Sequence, residues 1–114
     1  MGIEDDEPNP QDRITLKVLV LPSNRSPFVD WFDGLKTTPA GVRLRARLIR
    51  WKKGNVGDFK PVGSGVFELR LDFGPGYRIY YVHRGAQIVV LLCGGDKRTQ
   101  QQDIKRAQKI AETL

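Results

Sequence analysis

Two alternating segments around a Gly-Pro-Gly tripeptide constrain the fold of this chain more than any other feature. Residues 66–73 and 77–83 each alternate apolar and polar side chains with a period of two, which is typical of strands with one buried face. The tripeptide 74–76 separates them, and residues 87–93 form a third, mostly apolar segment. Because turn residues separate these neighbouring segments, they predict three consecutive antiparallel strands.

Two helices and another strand are predicted upstream of this region. Residues 14–21 are rich in branched apolar residues and stop at a proline, as a strand does. The dipeptides Ser-Pro at 26–27 and Thr-Pro at 38–39 combine an N-cap residue with a proline at the first helical position. The second helix is predicted to run to about Lys53 and to end at Gly54.

The remaining segments complete a single α+β domain in the order β-α-α-β-β-β-α. The glycine-rich residues 54–65 are predicted to be a loop, and Thr99, followed by glutamine three positions later, opens a last helix at residues 99–113. Short connections favour an antiparallel hairpin of the first two helices, packed on an antiparallel sheet. Residues 1–13 are acidic and lack apolar periodicity, so we expect a disordered tail before a folded domain at 14–114.

The folded part of the chain is strongly basic. The whole chain has a net charge of +6, but residues 1–13 hold five acidic residues and one basic residue, so the other 101 residues carry +10. Such a domain attracts polyanions, and the natural partners are nucleic acid or an acidic protein. A membrane is not expected, because no helix pairs a basic face with an exposed apolar one and no apolar run spans a bilayer. No secretion leader is evident, which predicts a cytoplasmic protein.

Neither a metal site nor a cofactor site is expected. The chain contains one cysteine and one histidine, which are too few for a disulfide framework or a Cys/His metal site. The Gly-Ser-Gly segment at 63–65 is too short for a phosphate-binding loop and is not followed by Lys-Ser or Lys-Thr.

Residue parity places basic side chains on one face of the strand hairpin. If the tripeptide 74–76 is a three-residue turn, Arg70 lies opposite Tyr80, and Asp72 lies opposite Arg78. The odd-numbered positions of the first hairpin strand are apolar and are expected to face the helices. The other face is expected to carry Glu68, Arg70, Asp72, Arg78 and Tyr80. The predicted basic pocket consists of Arg70, Arg78, Tyr80, Lys97, Arg98 and, through the preceding loop, Lys60.

Two further patterns concern the third strand of the meander and the second helix. That strand is expected to place Ile88, Val90 and Leu92 on the apolar face of the sheet. The apolar stripe of the helix is predicted to be Val42, Ala46 and Ile49, with Leu44, Leu48 and Trp51 beside it. The opposite side of the helix is either a solvated surface or a contact to RNA, and it carries Arg43, Arg47 and Arg50.

Three short segments resemble the signature of HigB-like "addiction module killer" proteins of the RelE/ParE toxin superfamily. They are Phe67-Glu-Leu-Arg, Gly76-Tyr-Arg-Ile-Tyr-Tyr and Leu92-Cys-Gly-Gly-Asp-Lys, and the resemblance extends over about residues 26–112. It implies a RelE-like fold, with two helices followed by a curved antiparallel sheet. It also implies the toxin of a type II toxin–antitoxin module that cleaves mRNA without a metal or cofactor, in many members on the translating ribosome. The expected partners are then mRNA, the ribosome and a cognate antitoxin with a helix-turn-helix domain.

The resemblance also implies roles for individual residues. Arg70 matches a catalytic arginine, Lys97 or Arg98 matches a second basic position, and Lys60 corresponds loosely to lysines that bind phosphate. Arg78 occupies a position common to the family. The tyrosine or histidine that several relatives carry just after the last strand is missing here, and Tyr80, Asp96 and Lys60 are the available substitutes. The catalytic candidates are Arg70, Arg78, Lys97, Lys60 and Tyr80, and the RNA-binding candidates are Arg98, Arg43, Arg47 and Arg50. The alternatives are a gyrase inhibitor that acts by protein binding and a non-toxic relative with the same fold.

Overall fold

A five-stranded sheet with helices on both faces forms the fold in the computed structural model, which describes residues 9–114. The elements, in chain order, are β1 (Thr15–Val18), α1 (Pro27–Asp33), α2 (Pro39–Lys52), β2 (Asp58–Gly63), β3 (Val66–Arg70), β4 (Arg78–His83), β5 (Ile88–Gly95), a 3₁₀ turn (Lys97–Thr99) and α3 (Gln100–Ala111). The strand order across the sheet is β1-β5-β4-β3-β2. β1 pairs with β5 in parallel, and the other neighbouring strands of residues 9–114 are antiparallel.

The α+β class is confirmed, whereas the predicted order and the antiparallel sheet are wrong. The observed order is β-α-α-β-β-β-β-α, because the segment predicted to be a glycine-rich loop contains β2. β2 lies at the edge of the sheet, where Pro61 is tolerated because a missing N–H on the outer side leaves no neighbour unpaired. The sheet is mixed because β1 pairs with β5, a strand so distant in the chain that local sequence patterns do not indicate the contact.

Both predicted helix starts are confirmed, and the third differs in detail. The side chains of Ser26 and Thr38 each accept a hydrogen bond from the backbone N–H three residues later, at 3.4 Å and 3.1 Å. Thr99 is the N-cap of α3, as predicted, but its side chain makes no cap hydrogen bond to the helix. Instead, Asp96 caps the preceding 3₁₀ turn, and Thr99 donates a hydrogen bond to Asp103 at 2.6 Å.

Each face of the sheet is covered by different helices. The larger core cluster lies under α1 and α2 and includes Phe28, Phe32, Leu44, Leu48, Trp51, Leu69, Ile79 and Tyr81. Trp51 packs edge-on against Tyr81, with 4.6 Å between the ring centroids. The smaller cluster lies under α3 and consists of Val66, Tyr80, Val82, Leu92, Cys93 and Ala107. The face predicted to be polar is therefore itself partly covered by a helix.

α2 packs on the sheet through a different stripe from the predicted one. Its buried side chains are those of Leu44, Leu48 and Trp51. Val42 and Ile49 are 65% and 41% exposed, so the predicted central stripe is wrong. The expectation that no basic helix exposes an apolar face is wrong for the same reason.

β5 faces the opposite way from the prediction. Val89 and Leu91 lie in the cluster under α1 and α2, whereas Leu92 lies in the cluster under α3. The loop before β5 is longer than the expected two residues, since the last residue of β4 pairs with Val89. A bulge at Leu92 then shifts the pairing with β4 by one residue. The predicted inward set of Ile88, Val90 and Leu92 is therefore wrong.

Residues 9–13 attach to the end of α2. The backbone N–H groups of Arg13 and Ile14 both donate to the Lys52 carbonyl, at 2.8 Å and 3.0 Å. Asp12 closes a turn with Asn9 through a backbone hydrogen bond of 2.8 Å. The predicted disorder of the acidic tail lies, for residues 1–8, outside the described residues.

Candidate anion-binding site

Two arginines lie directly opposite each other on the α3 face of the sheet. The observed register of β3 and β4 pairs Arg70 with Arg78 and Glu68 with Tyr80. The predicted pairs, Arg70 with Tyr80 and Asp72 with Arg78, are wrong by two residues. Parity is preserved by a shift of two, so these side chains still share one face.

The loop between β3 and β4 explains the shifted register. The Leu71 N–H donates to the Tyr77 carbonyl at 2.9 Å, which leaves residues 72–76 as a five-residue loop instead of a three-residue turn. Phe73 is only 8% exposed because it packs into the cluster under α1 and α2. The two glycines of the loop adopt φ angles of 64° and 80°, in the left-handed region that favours glycine. Burial of Phe73 thus ends the strand pairing before the Gly-Pro-Gly tripeptide.

A buried carboxylate lies between the two guanidinium groups. Glu68 is fully buried. Its Oε1 accepts a hydrogen bond from Arg70 Nε at 3.2 Å and lies 3.9 Å from Arg78 Nε. Its Oε2 accepts hydrogen bonds from the Tyr80 hydroxyl at 3.0 Å and from Gln100 Nε2 at 2.9 Å. Because like charges directly across a sheet repel each other, this carboxylate stabilises the opposed arginines.

Burial and hydrogen bonding act in opposite directions on the pKa of Glu68. Burial disfavours the charged form, but hydrogen bonds from Gln100, Arg70 and Tyr80 favour it, and the pKa lies below its ordinary value of 4.5. Glu68 is therefore a carboxylate at neutral pH. Burial, together with the neighbouring Glu68 charge, raises the pKa of Tyr80 far above its ordinary value, so the Tyr80 hydroxyl remains a donor.

A cavity of about 420 Å³ opens beside the arginine pair. It is lined by Arg47, Asp58, Arg70, Leu71, Asp72 and Arg78. The Arg78 side chain is only 12% exposed, and its Nη1 donates to the Gly76 carbonyl at 3.1 Å. The Arg70 side chain is more accessible, at 39% exposed, and is held by Glu68. Both guanidinium groups therefore border the cavity from fixed positions.

α2 contributes two of the predicted RNA-binding arginines to this region. Arg47 lines the cavity, and its Nη2 donates to the Val56 carbonyl at 3.5 Å. Arg43 lies over the Phe73 ring, 4.3 Å from the centroid, in the loop that follows β3. The basic surface therefore extends from the sheet edge onto α2.

Lys97 and the Arg78 guanidinium both border Gly76, but Lys97 does not line the cavity. A Cβ atom on Gly76 would lie 3.3 Å from Lys97 Cβ and 3.4 Å from Arg78 Nη1. The Lys97 N–H also faces the Pro75 carbonyl at 3.4 Å. The 3₁₀ turn after β5 thus places the backbone and Cβ of Lys97 next to the loop whose Gly76 carbonyl accepts from Arg78.

Four more of the predicted site residues do not line the cavity either. Tyr80 is fully buried under α3, where its hydroxyl has no access to solvent. Lys60 is exposed on the edge strand β2, directly across from Glu68. Arg98 is 82% exposed and is paired with Asp96 at 3.0 Å. Arg50 is exposed on α2 and lies outside the cavity.

The cavity combines phosphate-binding groups with proton acceptors. Guanidinium groups hydrogen-bond phosphate oxygens in a planar, paired geometry. Asp58 lies directly across from Arg70 on β2, and Asp72 follows β3, so two carboxylates share the cavity with the arginines. A carboxylate next to a bound phosphate can accept a proton from a neighbouring hydroxyl. The site can therefore hold a phosphodiester and remove a proton beside it.

The sequence analysis placed Glu68 on the right face but gave it no role, and it missed Gln100. Alternation along β3 signals which side Glu68 faces, but not that α3 covers that side. Gln100 is 32 residues away in sequence, at the first turn of α3, and reaches Glu68 only because the helix crosses the sheet there. A charged residue flanked by apolar ones inside a strand was the available signal for a buried, partnered carboxylate.

Within residues 9–114, no group of three or more His, Cys, Asp or Glu side chains is arranged to hold a metal ion. The same part of the chain has no helix of the length and apolar character that a membrane crossing requires.

The fold and the cavity define an α+β domain with a mixed sheet and an arginine-lined cavity at the strand ends. The chain belongs to the family described as phage-derived protein Gp49-like (DUF891), whose model matches residues 31–114. It is also similar to an uncharacterized protein from Haemophilus influenzae, with 47% identity over 87 residues that cover 76% of this chain and 88% of that protein.

The resemblance to HigB-like proteins of the RelE/ParE superfamily is therefore wrong as an assignment of family. The matching family is Gp49-like, which is a different family. The motifs that suggested the resemblance lie on β3, β4 and β5, where they build the arginine pair and its loop.

Proposed function

We propose that this protein is the toxin of a type II toxin–antitoxin module and acts as a metal-independent endoribonuclease on mRNA held by the translating ribosome. Members of the Gp49-like family are often toxins of such modules. The enzymatic part of the proposal is carried by one observation, the opposed pair of Arg70 and Arg78 at a cavity that also contains two carboxylates.

In the proposed reaction, the 2′-hydroxyl of RNA attacks the adjacent phosphate. The bond from O2′ to phosphorus forms and the bond from phosphorus to O5′ breaks, which yields a 2′,3′-cyclic phosphate and a 5′-hydroxyl end. The non-bridging oxygens gain negative charge in the phosphorane, and in this scheme Arg70 and Arg78 donate hydrogen bonds to them. Removing one such preorganised donor typically costs about 3–4 kcal/mol of transition-state stabilisation.

Proton transfer in this reaction falls to the groups around the pair. Asp58 or Asp72 accepts the proton of the 2′-hydroxyl, since both carboxylates line the cavity. Lys97, whose Cβ borders the same glycine as the Arg78 guanidinium, returns a proton to the leaving 5′-oxygen. Tyr80 acts as a positioning residue in this scheme, because its buried hydroxyl donates to Glu68 and does not reach the cavity.

The proposed macromolecular partners follow from the basic surface. Arg43 and Arg47 continue the cavity onto α2, and Lys60 and Arg98 are further exposed cations at the same end of the sheet. Polyanions bind such surfaces with little sequence preference, which suits mRNA and ribosomal RNA. A cognate antitoxin with a helix-turn-helix domain is the proposed neutralising partner, and the cytoplasm is the compartment where all of them meet.

Tightly controlled induction, followed by mapping of mRNA 5′ ends, tests this proposal. Wild type is compared with Arg70→Ala and with Arg84→Ala, a matched control at an exposed arginine in the loop between β4 and β5. New 5′-hydroxyl ends inside translated codons are expected for wild type and Arg84→Ala and not for folded Arg70→Ala. Growth arrest by wild type with intact transcripts would overturn the nuclease and leave toxicity by protein binding, with gyrase the first target to assay.

A further inference from the structure

α2 exposes an apolar stripe on the side that faces away from the core. Val42, Ala46 and Ile49 have the spacing i, i+4, i+7, so they lie along one line of the helix. All three are exposed, Val42 at 65% and Ile49 at 41%. Single exposed apolar residues are ordinary, whereas an aligned set on one helix is typical of a binding surface.

The stripe borders a groove that is already formed. The groove has a volume of about 710 Å³, and its lining also includes Phe32, Lys36 and Thr37 from the end of α1 and the turn that follows it. The first turn of α2 packs tightly on this connection, because a Cβ atom on Gly41 would overlap the Leu35 carbonyl. Close backbone contact therefore fixes α2, one wall of the groove, relative to the end of α1 and the following turn, which form the other wall.

Cations flank the stripe on both sides. α2 contains no aspartate or glutamate, and its five basic residues are Arg43, Arg45, Arg47, Arg50 and Lys52. At 3.6 residues per turn, Arg45 and Lys52 lie on one side of the stripe, and Arg43 and Arg50 lie on the other. This arrangement is complementary to a helix whose apolar stripe is flanked by carboxylates.

We infer that this groove binds an acidic amphipathic helix of a partner protein. RNA does not account for the exposed valine and isoleucine, because its phosphates gain nothing from an apolar seam. A concave groove with two fixed walls also fits an inserted helix better than the flat surface of a bilayer. The inference does not depend on RNA cleavage, because the groove and the arginine cavity share no lining residue.

The position of the groove indicates what such a partner does to the proposed site. Arg47 and Arg43 belong to the same helix, and Arg47 lines the cavity beside Arg70. A helix that binds along α2 therefore brings its carboxylates close to Arg43 and Arg47, where they compete with phosphate.

Selection from a displayed library of helices of about 16 residues tests the inference. One face of each helix carries apolar residues, and the two flanking rows are drawn from Glu, Gln and Lys. The full chain is expected to enrich glutamate in both rows. The affinity of an enriched helix, measured by fluorescence anisotropy, is expected to fall about tenfold in Val42→Asp or Ile49→Asp and to stay within about twofold in Val20→Asp. Val20 is a matched control because it is 50% exposed and lies outside the groove.

Several results would overturn the inference. If lysine or neutral residues are enriched in the flanking rows, the partner is not acidic. If both aspartate variants keep native circular dichroism and bind the helix with unchanged affinity, the helix does not bind in the groove. If sedimentation equilibrium shows a dimer and Ile49→Asp abolishes it, the groove binds a second copy of the chain. Binding to phosphatidylglycerol vesicles that is lost in Ile49→Asp assigns it to a membrane, and a tenfold gain in helix affinity on deletion of residues 2–8 assigns it to the chain's own acidic segment.

Discussion

Replacement of Glu68 by glutamine isolates the charge that holds the arginine pair. The substitution keeps the shape of the side chain and removes a fully buried negative charge. Arg70 and Arg78 then lie directly across from each other without the carboxylate between them. The glutamine amide also presents N–H donors to side chains that are themselves donors, so part of the network is left unsatisfied.

The expected loss follows from the contacts of Glu68. Breaking a buried ion pair by removing one partner typically costs about 3–5 kcal/mol, because it leaves an uncompensated charge. Arg70 is 39% exposed and can turn toward water, whereas Arg78 is only 12% exposed and remains where it is. The lower end of the range therefore applies, and the free energy of unfolding at pH 7 is expected to fall by about 3 kcal/mol.

Urea unfolding at several pH values measures this loss, with Glu112→Gln as a control at an exposed site. Because the pKa of Glu68 is lower in the folded protein than its ordinary value of 4.5, its contribution is present above pH 4.5 and is lost as the pH falls through the folded pKa. The difference between wild type and Glu68→Gln is therefore expected to shrink in acid. A loss under about 0.5 kcal/mol at pH 7, the size of an ordinary surface substitution, would show that the Glu68 charge does not hold the arginine pair.

Three further substitutions or reactions probe the surroundings of the site. Gly94→Ala places a methyl group into the Trp31 ring, so the free energy of unfolding should fall by about 2 kcal/mol, and unchanged urea stability would show that the ring can move. Tyr80→Phe removes a hydrogen bond to the ionised Glu68 and should cost about 2 kcal/mol by the same measurement, with wild-type stability as the contrary result. Burial raises the pKa of Cys93 to about 12, so its thiol should react with an aromatic disulfide reagent only after unfolding, and fast modification of the native protein would contradict this.

Local patterns in the sequence predict the helices and the meander well. The Ser26 and Thr38 caps and the alternation along β3 and β4 act over a few residues, and the structure uses them as expected. β2 was missed because Pro61 and neighbouring glycines look like loop residues, yet an edge strand tolerates them. The parallel pairing of β1 was missed because it depends on packing between distant segments.

The sheet face on which a side chain lies was predicted correctly only where the error in strand register preserved parity. Arg70, Arg78 and Glu68 were placed on one face correctly because a slip of two residues preserves parity. Leu92 was placed on the wrong face because a bulge and a longer loop change parity, and neither has a clear sequence signal. The burial of Tyr80 follows from the position of α3, which the strand pattern alone does not contain.

The claim that the Arg70–Arg78 pair catalyses RNA cleavage is tested by the rate of that reaction. Purified protein is mixed with ribosomes that carry a labelled mRNA, with EDTA-washed protein to test metal independence, and single-turnover rates are measured. Wild type and Arg84→Ala are expected to cleave at equal rates and to leave 2′,3′-cyclic phosphate ends, whereas Arg70→Ala is expected to be slower by about 100- to 1,000-fold. Equal rates for Arg70→Ala and wild type, or no cleavage by wild type, would contradict the claim.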